Sequence, residues 1–146
     1  MTESIYNFLV LDERIATGGQ PSAPEIAKIA EAGYEVIINL ALSTSDNALE
    51  NEKGLVESQG MIYIHIPVLW ENPTLENLES FLQIMSQYRN QRIFVHCVAN
   101  MRVSVFMALY RILGLGWPPD QAFQTMHEIW EPNPIWAGFI EHAINQ

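Results

Sequence analysis

Short β-rich runs alternate with amphipathic helical patterns along most of this chain, and that alternation restricts the fold more than any other feature. Ser22-Ala23-Pro24-Glu25 has the spacing of a capping box with Pro just inside the helix; Ile26, Ile29 and Ala30 follow at helical spacing until Gly33. Val36–Leu40 reads as a buried strand, 47–59 as a second helix, and Met61–Val68 as a strand ending near Pro67. Thr74 can cap a helix that places Leu75, Leu78, Leu82 and Met85 on one face, and Arg92–His96 then reads as a central strand. Helices are predicted over Arg102–Leu113, from Pro118-Pro119-Asp120 to about Trp130, and from Pro134 through Ile144. The fold class expected is α/β: a three-layer single domain spanning residues 1–146, with a mostly parallel central sheet flanked by helices. A chain of 146 residues can bury about two thirds of the surface its unfolded form exposes, so one domain suffices.

In open parallel sheets, sites form at the carboxyl ends of strands. The only cysteine, Cys97, lies just past such an end, in Phe94-Val95-His96-Cys97-Val98-Ala99-Asn100-Met101-Arg102-Val103-Ser104. A lone cysteine there is commonly core packing. At a helix N-terminus with an arginine close by, however, the anionic thiolate is favoured by backbone N–H groups and by the cation. The same amides and a guanidinium fork can hold an oxyanion. The loop has no glycine, and Asn100 is the residue best able to take a left-handed conformation; it could equally act as the N-cap of the next helix.

Charge narrows the partners. Seventeen Asp and Glu against seven Lys and Arg give a net charge of −10, which disfavours nucleic-acid and anionic-membrane binding. An anionic substrate would need a locally positive pocket, with Arg102 its clearest source. One cysteine excludes an intramolecular disulfide and a multi-cysteine zinc site, and His65, His96, His127 and His142 are scattered without ligand spacing, so neither metal nor cofactor is expected. No signal peptide or membrane-spanning stretch is read, and a soluble cytoplasmic protein is the expectation. The oligomeric state is left open. Trp117, Trp130 and Trp136 read as core aromatics, or as the cover of a groove or dimer contact.

The stretch from His96-Cys97 to Arg102 and Ser104 resembles the phosphate-binding loop of cysteine-dependent protein tyrosine and dual-specificity phosphatases. Together with Gly18-Gly19-Gln20-Pro21, Val36–Leu40 and Ile66-Pro67-Val68, it is similar to the bacterial phosphatase-like domain of beta-lactamase-hydrolase-like proteins. The resemblance implies a cysteine-phosphatase-like fold and hydrolysis of phosphate monoesters through a phosphocysteine. Cys97 would be the nucleophile and Arg102 the phosphate clamp. The loop amides of Val98, Ala99, Asn100 and Met101 would bind phosphate, and Ser104 would assist breakdown of the intermediate. His96 would organise the loop. Glu71, in the loop after Val68, is the first candidate for the leaving-group acid, and Asp46 the second. The interval between Cys97 and Arg102 is four residues where the phosphatase signature has five. That shorter interval also resembles rhodanese-like sulfurtransferases, in which Cys97 would carry a persulfide. A non-catalytic oxyanion-binding module is the third reading.

Overall fold

In the computed structural model, which describes residues 4–146, twelve segments follow one another along the chain. They are β1 (Leu9–Val10), β2 (Ile15–Gly18), α1 (Ala23–Glu31), β3 (Val36–Asn39), α2 (Glu52–Ser58), β4 (Ile62–His65), α3 (Leu75–Gln87), β5 (Ile93–His96), α4 (Met101–Leu109), a π turn (Tyr110–Gly114), α5 (Pro119–Ile129) and α6 (Pro134–Ile144). The sheet order is β1-β2-β5-β3-β4. β2, β5, β3 and β4 run parallel, and only the two-residue β1 is antiparallel. The expected α/β architecture with a mostly parallel sheet is therefore the observed one.

The inner strands are apolar on both faces, as burial between two helical layers requires. Side chains alternate across a strand, so Val36 and Ile38 enter one core while Ile37 enters the other. Ile93 and Val95 likewise separate from Phe94. The first core is filled by α3–α6 through Phe81, Phe106, Met126 and Trp136 among others, and the second by Ile26 and Ile29 of α1 and Val56 of α2. β5 lies between β2 and β3, which places the end of β5, and Cys97 beyond it, in the middle of the sheet's carboxyl edge.

Local signals in the sequence explain several boundaries. Ser22 caps α1 with Glu25 completing the box, and Gly33 follows with φ 98°. Thr74 and Asn77 form the equivalent box on α3. Several boundaries differ from the sequence reading, among them the strand read over Met61–Val68, which is only Ile62–His65. β1 and β2 were not anticipated: Ile15-Ala16-Thr17-Gly18 is buried throughout and shows no alternation to read. The helix expected over 47–59 is only Glu52–Ser58, because Asn51 at its N-cap is left-handed (φ 56°) and the preceding residues form turns. The helix expected to reach Leu113 stops as α at Leu109, where the ladder widens and Leu115 N–H reaches Tyr110 O at 3.2 Å.

Phe81 is fully buried, edge-on to Phe106 at 5.7 Å and to Tyr110 at 6.4 Å. Phe81→Ala is expected to destabilise the fold by about 3–5 kcal/mol. The check is a fall in the urea midpoint with the slope unchanged.

Candidate active site

Cys97 is the first residue after β5 and is 1% exposed. It lines a pocket of about 240 Å³ together with Trp70, Val98, Ala99, Met101 and Arg102. The turn from strand to helix is made at Asn100, whose φ of 68° and ψ of 3° supply the left-handed residue that the glycine-free loop needs. Asn100 occupies the N-cap position of α4 without a side-chain capping bond. Its Nδ2 instead donates to Asn7 O and Thr17 Oγ1, both at 2.9 Å. The first-turn amides of α4, at Met101, Arg102 and Val103, thus have neither an intrahelical acceptor nor a side-chain cap.

The loop's carbonyls are all engaged with donors of the protein itself. Cys97 O is 3.2 Å from His96 Nδ1, Val98 O accepts from Gln20 N at 3.1 Å, and Ala99 O from Asn7 Nδ2 at 2.9 Å. Asn100 O accepts from Ser104 N at 2.9 Å and Met101 O from Ser104 Oγ at 2.7 Å. Because successive carbonyls are held in this way, the chain can leave amide groups for the pocket.

Gly19 makes the contact possible. It forms an antiparallel bridge with Ala99, and its N–H donates to Tyr6 O at 2.7 Å. A Cβ on Gly19 would lie 2.6 Å from Val98 O and 3.3 Å from Ala99 Cα, so only glycine allows the two backbones this close.

Arg102 is 6% exposed and donates from Nη1 to Val68 O at 2.7 Å. Its guanidinium carbon lies 5.9 Å from the Trp70 ring centroid. The guanidinium is thereby tied to the loop after β4 while lining the Cys97 pocket. Ser104 is placed differently from the role the resemblance suggests. Its hydroxyl donates to Met101 O and accepts from Trp130 Nε1 at 3.0 Å, so its proton is directed to the loop backbone, and it does not line the pocket.

Beneath the loop, His96 is fully buried and its Nε2 lies 2.7 Å from Glu52 Oε2. Gln20 Nε2 donates to the other Glu52 oxygen at 2.8 Å. Burial pushes the Glu52 carboxyl up, but the hydrogen bond and charge of His96, the Gln20 hydrogen bond and the charge of His65 together hold it below its ordinary value. Glu52 was not singled out from the sequence, where it is one more carboxylate within the helix read over 47–59.

Neither candidate acid lines the pocket. Glu71 is exposed in a tight turn closed by Asn72 N–H to Leu69 O at 3.2 Å, one residue past the pocket-lining Trp70. Asp46 is exposed among the turns between β3 and α2. Trp136 sits in the core with Trp117 and Trp130 packed against it, as core aromatics; Trp70, which lines the pocket, joins Trp130 and Trp136 in a cluster with centroids 5.3–6.5 Å apart, and Arg111 lies over the Trp117 ring. Trp136 is fully buried and its Nε1 donates to Trp70 O at 2.8 Å, which fixes the pocket wall from below.

Two outcomes test this arrangement. Gly19→Ala should displace the loop and weaken oxyanion binding by about tenfold or more, the scale of losing one charge-assisted hydrogen bond, as read by titration with inorganic phosphate. Since the Glu52 carboxyl titrates lower when folded than when unfolded, its contribution to stability is complete above the ordinary carboxylate value. It is lost as pH falls through the lowered folded value. Glu52→Gln should therefore flatten the acid side of the stability profile, and an unchanged profile would reject the pairing.

The family described as "DSP-PTPase phosphatase fused to NAD+ Kinase" matches residues 9–128. A beta-lactamase hydrolase-like protein of Xylella fastidiosa is 26% identical over 106 residues; this chain spans 24% of that relative's length, and the match covers 70% of this chain. A candidate phosphatase from Shewanella putrefaciens superimposes with a TM-score of 0.90 at 30% identity, covering 98% of this chain and 94% of its own. A structure of PTPMT1 in complex with PI(5)P superimposes with a TM-score of 0.80 at 18% identity, covering 94% of each chain, a likeness of fold. With a strand–loop–helix that places cysteine and arginine in one pocket, and a family match over most of its length, this chain belongs to the DSP-PTPase phosphatase family that is found fused to NAD+ kinase.

Proposed function

We propose that the chain is a cysteine-dependent phosphatase that hydrolyses phosphate monoesters through a phosphocysteine on Cys97. The observation that carries this reading is the co-location of Cys97, Arg102 and the uncapped start of α4 around one pocket, with the loop carbonyls engaged elsewhere. The Cys97 thiolate attacks phosphorus and the bond from phosphorus to the ester oxygen breaks. Water then attacks the phosphocysteine, the P–S bond breaks, and phosphate leaves with the thiolate restored. The amides of Val98, Ala99, Asn100 and Met101 and the remaining donors of Arg102 hold the phosphoryl oxygens. Ser104 supports the reaction by fixing the Met101 carbonyl.

Glu71 is the carboxylate assigned to leaving-group protonation, from a turn that adjoins the pocket wall at Trp70. Asp46 is the alternative. Because neither lines the pocket, turnover should favour leaving groups that depart with little protonation, such as phenolates.

The carboxylate-free pocket and the four-residue interval favour a second reading, sulfane-sulfur transfer through a Cys97 persulfide, which needs no leaving-group acid.

Hydrolysis of para-nitrophenyl phosphate across acidic and neutral pH distinguishes the readings. Cys97→Ser should abolish turnover while retaining phosphate binding, and Arg102→Lys should weaken that binding because a planar fork is lost. With an alkyl phosphate, Glu71→Gln should remove the basic limb of the pH–rate profile, while para-nitrophenyl phosphate, an activated aryl ester, is spared. Turnover undiminished in Cys97→Ser would overturn the proposal. Absence of phosphatase activity together with Cys97-dependent transfer of sulfur from thiosulfate to cyanide would establish the second reading.

A further inference from the structure

A second cavity, of about 400 Å³, opens at the carboxyl ends of β3 and β4 beside α2, and it shares no lining residue with the Cys97 pocket. Its size falls within the range of small-molecule sites. Its chemistry is mixed. Tyr63 Oη accepts from Asn39 Nδ2 at 3.0 Å, and among the described residues its own O–H has no acceptor. Burial raises the Tyr63 phenol, the Asn39 hydrogen bond opposes this and the Glu52 charge adds to it, so the group sits at about 12 and stays a donor at neutral pH. His65 Nε2 is 2.6 Å from Ala41 O, and since a carbonyl only accepts, this nitrogen carries the proton. The Ser43 hydroxyl can donate or accept.

The charges of the lining cancel, with Lys53 against Glu52. An anion would meet the Glu52 carboxylate and the field of a chain carrying −10. A wholly apolar ligand would strand the Tyr63 donor and the Ser43 hydroxyl. What satisfies donors and acceptors together, with C–H faces against Leu49 and the Tyr63 ring, is a polyhydroxylated ring.

Glu52 links this cavity to the nucleophile. It lines the cavity, hydrogen-bonds His96 Nε2 at 2.7 Å, and the opposite ring nitrogen of His96 is 3.2 Å from Cys97 O. We propose that the cavity is a second ligand site for a small neutral polyhydroxylated molecule of monosaccharide or ribose size, and that its occupancy is transmitted to the Cys97 loop through Glu52 and His96.

The test is a titration of the isotope-labelled protein with D-glucose, D-ribose and, separately, sulfate, followed through backbone amide resonances and thus independent of turnover. Either sugar should shift Tyr63, His65 and Lys53 saturably, with smaller shifts at His96 and Cys97, while sulfate should shift the Cys97 loop most, with only smaller reciprocal shifts in the cavity. Tyr63→Phe should weaken sugar binding by about tenfold, as expected for one hydrogen bond lost. Ser43→Phe, on an exposed loop position, should block the cavity mouth with the fold intact. Glu52→Gln should keep the shifts in the cavity and lose those at Cys97. No saturable shift from either sugar at tens of millimolar, or sulfate filling the cavity in their place, would overturn the site. Sugar shifts confined to the cavity in the wild type would overturn the coupling.

Discussion

A peptide group carries a donor and an acceptor together, so a loop can present a cluster of N–H groups only if its carbonyls are satisfied elsewhere. Much of this structure serves that requirement. The carbonyls of residues 97–101 are met by His96, Gln20, Asn7 and Ser104, and those partners come from β5, the segment after β2, the N-terminal segment and α4. Glu52 and Gln20 in turn orient His96, and the missing side chain of Gly19 lets the segment before α1 lie against the loop. The cysteine contributes its sulfur, and the surrounding backbone contributes the geometry.

The parts of the molecule legible in the sequence are those with local causes. The capping boxes at Ser22 and Thr74, the stop at Gly33 and the apolar runs of β3 and β5 follow from residue types within a few positions of each other. The left-handed turn at Asn100 belongs to the same class, because few residues other than glycine accept that conformation. What the sequence concealed was long-range. β2 is a short, fully buried strand identified by its place beside β5, and Glu52 acquires meaning only when folding brings it to His96, 44 positions away. Trp70 stood out less than the three later tryptophans, yet it lines the pocket and Trp117 does not.

The pocket is bounded by two different kinds of support. On the loop side, hydrogen bonds to backbone set the curvature, and these have tight angular demands. On the other side, tilted aromatic rings in contact and Arg102 hold the turn after Val68, with Trp136 as the buried base. Of the two walls, the loop side is shaped by bonds to its backbone, and the turn carrying Trp70 is held by ring packing together with the Arg102 and Trp136 hydrogen bonds.

The bonds that tie Asn7 to Ala99 and Asn100 join residues separated by 92 and 93 positions. Closing so long a loop carries an entropic toll that local elements do not face, so contacts of this kind tend to form late. The strand and helix that flank Cys97 lie far along the chain from Asn7, so the loop reaches its shape only when the segment carrying Asn7 folds back onto it. The conformation of the Cys97 loop therefore depends on a distant stretch of chain as much as on the residues beside it.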